Sequence, residues 1–380
     1  MSEISIPSSA AGQQDFAGEV AYLFAYDIAY EMPRRVEGSL LGQPIESFDL
    51  SPASRRSPRS GMFYRPSVVH LPPRTCQGPG GAMQVRASLK LYPIGALSVT
   101  LHVPFEAVRL DTLVSYYDLR LDGEPLAAMA QSLARRATDE LMPHLLRPVE
   151  TLSEEEAYTV FCLASSSGQV SDTTHWLMDN RRPIASLLNH ESDPDRLSDM
   201  EVADTIANYQ AYGRADLLVT DWDAALLLDT PADFGGVIHT LELANVQLVE
   251  LRVYDRMLDS SLQKAYQDLA RRPRAHREVL ATLREIRVDL ARLGDELSNV
   301  GKLFGDWHLA KIYRQAANLL HLDDWRRTIA EKLSTLDSLY QLLKQEQLNR
   351  SMAIMELAIV VFFIIDLVLV AAGMLFGWGH

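Results

Sequence analysis

The side chains whose type and spacing could do chemistry fall in two places. The first is the stretch around Trp222, where Asp221, Asp223 and Asp229 stand close together in the chain. An Asp-x-Asp pair within a strand puts two carboxylates on one face, where they could hold Mg²⁺ or work as an acid/base pair. No His, Lys or Ser stands at a telling distance to complete such a site, and Asp is a common residue of turns and strand ends. The expectation for these acids is therefore a structural or solvated role. The second place is Asp366, inside an otherwise apolar run, with Glu356 just before that run. Cys76 and Cys162 form no CxxC and no Cys/His zinc spacing, and Cys162 within YTVFCL reads as an apolar filler. The PGG turn near Gly80 lacks the Lys-Ser/Thr of a phosphate-binding loop. No catalytic residue, cofactor or metal site is assigned on these patterns.

The element that must position Asp366 is the run Leu357–Phe376. Twenty helical residues at about 1.5 Å rise reach about 30 Å, the thickness of a bilayer's hydrocarbon core. Lys344 and Arg350 precede the run, and no Lys or Arg follows it. The positive-inside tendency then places the large N-terminal part in the cytoplasm, on a single-pass, tail-anchored protein, in the inner membrane if the source is bacterial. A carboxylate at mid-bilayer costs roughly 2.5–3.5 kcal/mol. Asp366 thus needs a hydrogen-bonding neighbour among packed membrane helices, or a place in an ion or proton path.

Charge divides the chain unevenly. Residues 1–246 hold 18 Lys and Arg against 33 Asp and Glu, whereas residues 247–350 hold 18 against 15. An acidic head of this kind repels a phosphate backbone, which excludes nucleic acid, and it offers a surface to protein partners. The first 18 residues carry no basic residue and no apolar segment, so they read as a disordered lead rather than a secretory signal.

An α+β head is expected over 19–232. Val20–Tyr26 reads as a buried strand, Ala82–Tyr92 and Ala96–Val103 as an antiparallel pair around Pro93-Ile94-Gly95, and Tyr158–Leu163 as a further strand. Leu110–Tyr117 and Pro125–Leu146 have helical periodicity, and Leu197–Tyr209 begins with a Ser198…Glu201 capping box. The Pro/Gly/Ser-rich stretches Ser51–Gly61 and Pro72–Gly81 read as loops. Leu217–Asp221 and Ala224–Leu228 read as a strand pair or one broken strand.

From 233 to 350 the pattern is that of a long helical, coiled-coil stalk. Leu241–Ala270 carries one apolar stripe, ended by Pro273. Leu283, Ile286, Leu290, Leu293, Leu297 and Val300 step by three and four, the spacing of a coiled-coil seam. Ile329, Leu333, Leu336, Tyr340 and Leu343 continue that alternation towards a transmembrane helix over 351–377, with a short tail at 378–380. Such seams close within one chain or pair between subunits of a homo-oligomer.

LELANVQLVELRVYDRML from Leu241, the preceding Leu228-Asp229-Thr230-Pro231 and the ending LNRSMAIMELAIVVFFIID together resemble the required-for-meiotic-nuclear-division (sporulation) family of membrane proteins. The resemblance covers roughly the last 150 residues, with the family's pattern falling on Glu242, Arg252, Val253, Leu258, Glu356 and Asp366. Asp366 stands where the family more often has Glu, and Leu357 where it has Trp. The resemblance implies a membrane-attached, oligomer-forming protein without an established enzymatic reaction. The outline is also similar to CorA-type magnesium channels, but Leu375 follows Gly373-Met374 where those have Asn and a second membrane helix.

These readings converge on a membrane-anchored, oligomeric interaction or scaffold protein with a cytoplasmic head. The runner-up is an oligomer conducting ions or protons through Asp366. A metal-dependent enzyme using Asp221 and Asp223 stands third.

Overall fold

A computed structural model describes residues 15–33, 36–48, 66–78, 81–148, 155–165, 170, 172–270, 288 and 307–376. The chain divides into two compact units, one formed by Met1–Val253 with Arg292–Arg326 and the other by Tyr254–Ala291 with Arg327–His380.

The first unit is a mixed α/β body around a ten-stranded sheet. Its strands, in chain order, are β1 (Asp15–Asp27), β5 (Glu46–Ser47), β6 (Ser67–His70), β7 (Arg74–Gly78), β8 (Gly81–Tyr92), β9 (Ala96–Arg109), β13 (Glu155–Ala164), β14 (Tyr209–Gln210), β15 (Leu217–Thr220) and β16 (Ala224–Asp229). The short pairs β2 (Ala29–Glu31) with β12 (Leu146–Pro148), β3 (Ser39–Leu40) with β4 (Gln43–Pro44), and β10 (Arg120–Leu121) with β11 (Glu124–Pro125) lie outside it. The order across the sheet is β14-β15-β16-β13-β1-β9-β8-β6-β5, with β7 also on β8. Only β13 and β16 pair in parallel among the described strands.

The expected hairpin is present. Tyr92 opposes Ala96, and the Gly95 amide donates to the Tyr92 carbonyl at 2.9 Å. Gly95 has φ +96°, and a Cβ there would stand 1.7 Å from the Ala29 carbonyl oxygen, so this turn admits only glycine. Val20–Tyr26 forms the middle of β1, which begins at Asp15, ahead of the boundary expected at residue 19. Pro125 caps α1 (Leu126–Leu141), which ends short of the predicted Leu146 in a 3-10 turn at Met142–His144.

Strand alternation gives the sheet two different faces. One carries Val20, Tyr22 and Phe24 of β1, Leu97, Val99 and Leu101 of β9, and Phe161 and Leu163 of β13. This apolar face is covered by α1, by the 3-10 helix Leu110–Tyr116, and by α2 (Thr173–Asp179) and α3 (Arg181–Leu188). The other face presents Ser88 and Lys90 of β8, Ser98 and Thr100 of β9 and Thr220 of β15, all buried.

What covers that second face is α5 (Phe234–Ala270), which follows α4 (Asp199–Ala207) in chain order. Every residue from Gly236 to Leu251 is buried, polar ones included. A helix with only one dry side would bury every third or fourth residue; this one is enclosed all round. Its outer side meets α6 (Trp307–Leu319), where the Tyr313 hydroxyl donates to Gln247 Oε1. Residue periodicity sets a stalk boundary at 233; the compact unit instead takes in the first half of α5.

In the second unit, Ile329, Leu333 and Leu336 of α7 (Leu322–Phe376) are buried, as is Leu258 of α5. Lys332 Nζ lies 2.7 Å from both Asp255 Oδ1 and Asp259 Oδ1. That part of the expected seam closes within one chain. Leu283, Ile286, Leu290, Leu293, Leu297 and Val300 lie outside the described residues, as does the side chain of Leu343.

The turn at Gly95 generates a direct check. Gly95→Ala is expected to destabilise the protein by about 2 kcal/mol or more, since it adds a backbone clash to left-handed strain. Gly42→Ala, at φ +73° with open space around it, should cost about 1 kcal/mol. Urea unfolding of the two variants would show equal losses if the Ala29 contact contributed nothing.

Candidate functional site

Asp221 and Asp223 do not sit in a strand. They occupy the turn between β15 and β16, on either side of Trp222, which corrects the one-face geometry expected from Asp-x-Asp. The turn is held tightly. The Asp221 amide donates to the Ala224 carbonyl at 2.8 Å, the Trp222 amide to Asp221 Oδ1 at 2.8 Å, and the Thr159 amide to the Asp223 carbonyl at 2.9 Å. The buried Tyr158 hydroxyl reaches the carbonyls of Asp221 and Ala224 at 3.0 and 2.9 Å. Burial raises the Asp221 carboxyl above its ordinary value, against the Trp222 amide that favours its charge, and the Asp223 charge adds to the rise. Asp229 is at the far end of β16, roughly 17 Å away at about 3.3 Å per strand residue, with its carboxylate accepting the Thr230 amide at 2.8 Å. It belongs to a separate environment.

Two histidines close on this turn. His190, just past α3, places Nε2 3.3 Å from Asp223 Oδ1, and its ring stacks on Tyr117 at 3.5 Å between centroids. His321, just past α6, lies 5.6 Å from the Trp222 ring and places Nδ1 3.2 Å from Asp324 Oδ2. Both histidines have left-handed backbones, φ 54° and 50°. Glycine is the cheap residue at such a position after a helix, and a side chain there costs about 1 kcal/mol. Next to Tyr117 is a cavity of about 390 Å³ lined by Tyr22, Phe24, Tyr117, Leu119, Leu126 and Thr159, among others. Among the described residues, no three His, Cys, Asp or Glu side chains converge in a metal-binding arrangement.

A second cluster, which residue spacing does not reveal, lies under α5. Lys90 of β8 pairs with Glu242 of α5, and both are buried. Thr100 Oγ1 donates to Glu242 Oε1 at 3.3 Å, and His239 Nδ1 stands 3.5 Å from Glu242 Oε2, within ion-pair range but without hydrogen-bond geometry. The Phe48 ring lies 4.5 Å from the His239 ring centroid and 4.5 Å from Lys90 Nζ. Burial opposes ionisation of Glu242, but the Lys90 ammonium and the His239 contact outweigh it and hold the carboxyl down at about 2. Burial pushes His239 down to about 4, helped by the Lys90 charge. At neutral pH the cluster is therefore a Lys⁺–Glu⁻ pair beside a neutral imidazole. Lys90 and Glu242 stand 152 positions apart, and only the resemblance to the sporulation family singles out Glu242 from the residue order.

Cys162 is fully buried, and desolvation lifts its thiol well above the ordinary value, in keeping with the filler role. Glu356 and Asp366 both lie on α7, exposed. The 21-residue stretch Met352–Ala372 is long and apolar enough to cross a membrane, and none of its most apolar window is buried.

Comparison with known proteins adds a family. The family model described as the N-terminal domain of the uncharacterized protein MJ0711 matches residues 17–234. The uncharacterized protein MJ0711 of Methanocaldococcus jannaschii is 22% identical over 220 residues, which is 57% of this chain and 66% of that protein. The match thus spans just under two thirds of the relative's length. No solved structure matches the chain.

The buried cluster sets a pH dependence and a mutational one. Because Glu242 and His239 both titrate lower in the folded chain than their ordinary 4.5 and 6.5, the unfolded chain takes up protons first on acidification. Stability should fall from pH 6.5 towards 4 through His239, and from 4.5 towards 2 through Glu242. Thermal melts in detergent are expected to show both falls, and His239→Asn should flatten the first. Lys90→Met should cost about 3–5 kcal/mol, and adding Glu242→Leu should recover most of it. A double variant as unstable as the single one would contradict this account of the pair.

Proposed function

The chain belongs to the family defined by the N-terminal domain of the uncharacterized protein MJ0711, and from that premise we propose that it is a membrane-anchored interaction or scaffold protein, its head cytoplasmic. The observation that carries the proposal is the exposure of Met352–Ala372 along its length. Fully burying a large aliphatic or aromatic side chain stabilises by about 1.5–3 kcal/mol. Ile359, Val360, Phe362, Phe363, Leu367 and Leu369 all forgo that stabilisation in water. The core helix of a water-soluble protein can be equally apolar, but it is buried by its own chain; this one is not. A bilayer supplies the missing environment over about 30 Å.

Lys344 and Arg350 on the N-terminal side of the span support the cytoplasmic placement of the head. The acidic surface of the head supports protein partners and speaks against nucleic acid. No enzymatic reaction is proposed. Assembly into a homo-oligomer is proposed to run through the membrane helix, because the described part of the stalk seam closes within the chain, whereas Asp366 faces outward. Neighbouring helices would give that carboxyl a partner, and the resemblance of the last 150 residues to the sporulation family supports the same arrangement. A proton or ion path through Asp366 is the second reading that this residue favours.

Full-length protein is expected in the membrane fraction, released by detergent and not by carbonate. Deletion of Ser351–His380 should yield a soluble protein with an unchanged cooperative melt. Asp366→Leu should insert normally and alter the yield of cross-linked oligomer. Full-length protein in the soluble fraction without detergent would defeat the anchor.

A further inference from the structure

We propose that the turn Asp221–Trp222–Asp223, together with His321, is a docking surface for a cationic, arginine- or lysine-bearing segment of a protein partner. This deepens the interaction role proposed above and rests on it.

Three observations carry the inference. The first is the tryptophan. Trp222 is 57% exposed at the tip of a turn whose backbone is fixed by the hydrogen bonds described above. An exposed indole on a rigid support loses little conformational entropy when it is covered, a property of the aromatic anchors of interfaces. Among the described residues, no cationic side chain lies over its ring. The contrast is Trp307, similarly exposed, whose face is occupied by Lys311 Nζ at 4.4 Å from the centroid.

The second is the geometry around the indole. His321 provides a second ring 5.6 Å away at 50°, two walls of an open aromatic corner. Carboxylates stand near it: Asp223 follows Trp222 in the turn, with its Oδ1 3.3 Å from His190 Nε2, and Asp324 Oδ2 lies 3.2 Å from His321 Nδ1. A ring face plus carboxylates is the environment that receives an ammonium or guanidinium, through cation–π attraction and charge-assisted hydrogen bonds. The backbone strain supports the same reading. His190 and His321 hold left-handed positions where glycine would be cheaper, and each sets its imidazole against a different residue of this one turn.

The third is charge complementarity. Between His190 and Asp223 the chain carries nine Asp and Glu against two Arg, and of the nine only Asp216 is buried. A cationic segment is attracted to that surface from a distance, whereas an anionic bilayer is repelled. The occupant is therefore a basic protein segment and not the lipid face.

The test uses full-length protein in detergent micelles and a fluorescent ten-residue peptide of alternating Arg and Ser. Anisotropy should give saturable binding that weakens as salt rises. Trp222→Ala should weaken binding about tenfold and Asp223→Asn severalfold, with unchanged melting temperatures. Trp307→Ala, at the occupied indole, should have no effect. A Lys-Ser peptide is expected to bind more weakly than the Arg-Ser one, since guanidinium stacks better on an indole. No saturable binding below millimolar peptide, or binding indifferent to Trp222→Ala, overturns the docking site. Either result leaves the membrane fractionation untouched, so failure of this surface and failure of the anchor are distinguishable.

Discussion

A helix enclosed on every side has to find partners for its polar groups inside the protein, and α5 is such a helix between Gly236 and Leu251. The rest of the head is arranged around that requirement. Glu242 is answered by Lys90 and Thr100 from two strands, Asn245 donates to the Glu156 carbonyl at 2.8 Å, Gln247 takes Tyr313, and Arg252 pairs with Glu156. The strands that meet α5 accordingly alternate large apolar residues on one side with Ser88, Lys90, Ser98 and Thr100 on the other. An ion pair buried this deeply contributes little net stability, because desolvation offsets most of its attraction. Its effect is on register. Removing either partner leaves a lone buried charge, so a shifted seating of α5 on the sheet is costly.

The C-terminal helix shows the same constraint with the environments exchanged. α5 carries polar side chains and is enclosed by protein; α7 from Met352 onward carries apolar side chains and is enclosed by none of it. In the first case the protein supplies hydrogen-bonding partners, and in the second a bilayer is proposed to supply an apolar solvent. Glu356 and Asp366 are the charged exceptions on that stretch of α7. On α5 Glu242 meets the strands that carry Lys90 and Thr100, and on α7 Asp366 is proposed to meet another membrane helix.

Much of this is legible in the residue order wherever the signal is local. Alternation around Pro93-Ile94-Gly95 marks β8 and β9, a run of β-branched and aromatic residues marks β1, and Ser198 marks the start of α4, where its Oγ accepts the Glu201 amide at 3.1 Å. The apolar length of the terminal helix is equally plain. What escapes depends on distant contacts. Lys90 reads as an outward-facing residue of an alternating strand until Glu242, 152 positions later, is folded against it. The polar side of α5 reads as solvent-facing, because periodicity reports which residues are apolar and not what covers the remainder. The break at Trp222 between two strands is legible, but whether Asp221 and Asp223 share a strand face is not, and nothing local links the break to His190 or His321. The one signal that could find those histidines is their place just after a helix, where glycine is usual.

If Met352–Ala372 lies in a bilayer while the remainder of α7 does not, access from water must change abruptly along this one helix. Single cysteines introduced along α7 from residue 322 to 372, probed in native membranes with a membrane-impermeant maleimide, test that most directly. Cys76 and Cys162 are buried, which keeps the background low. Labelling is predicted at exposed positions such as Asp323, Glu331 and Thr335, with a sharp loss near residue 352 that persists to 372 and is relieved by detergent. Uniform labelling across residue 352 without detergent would contradict the account.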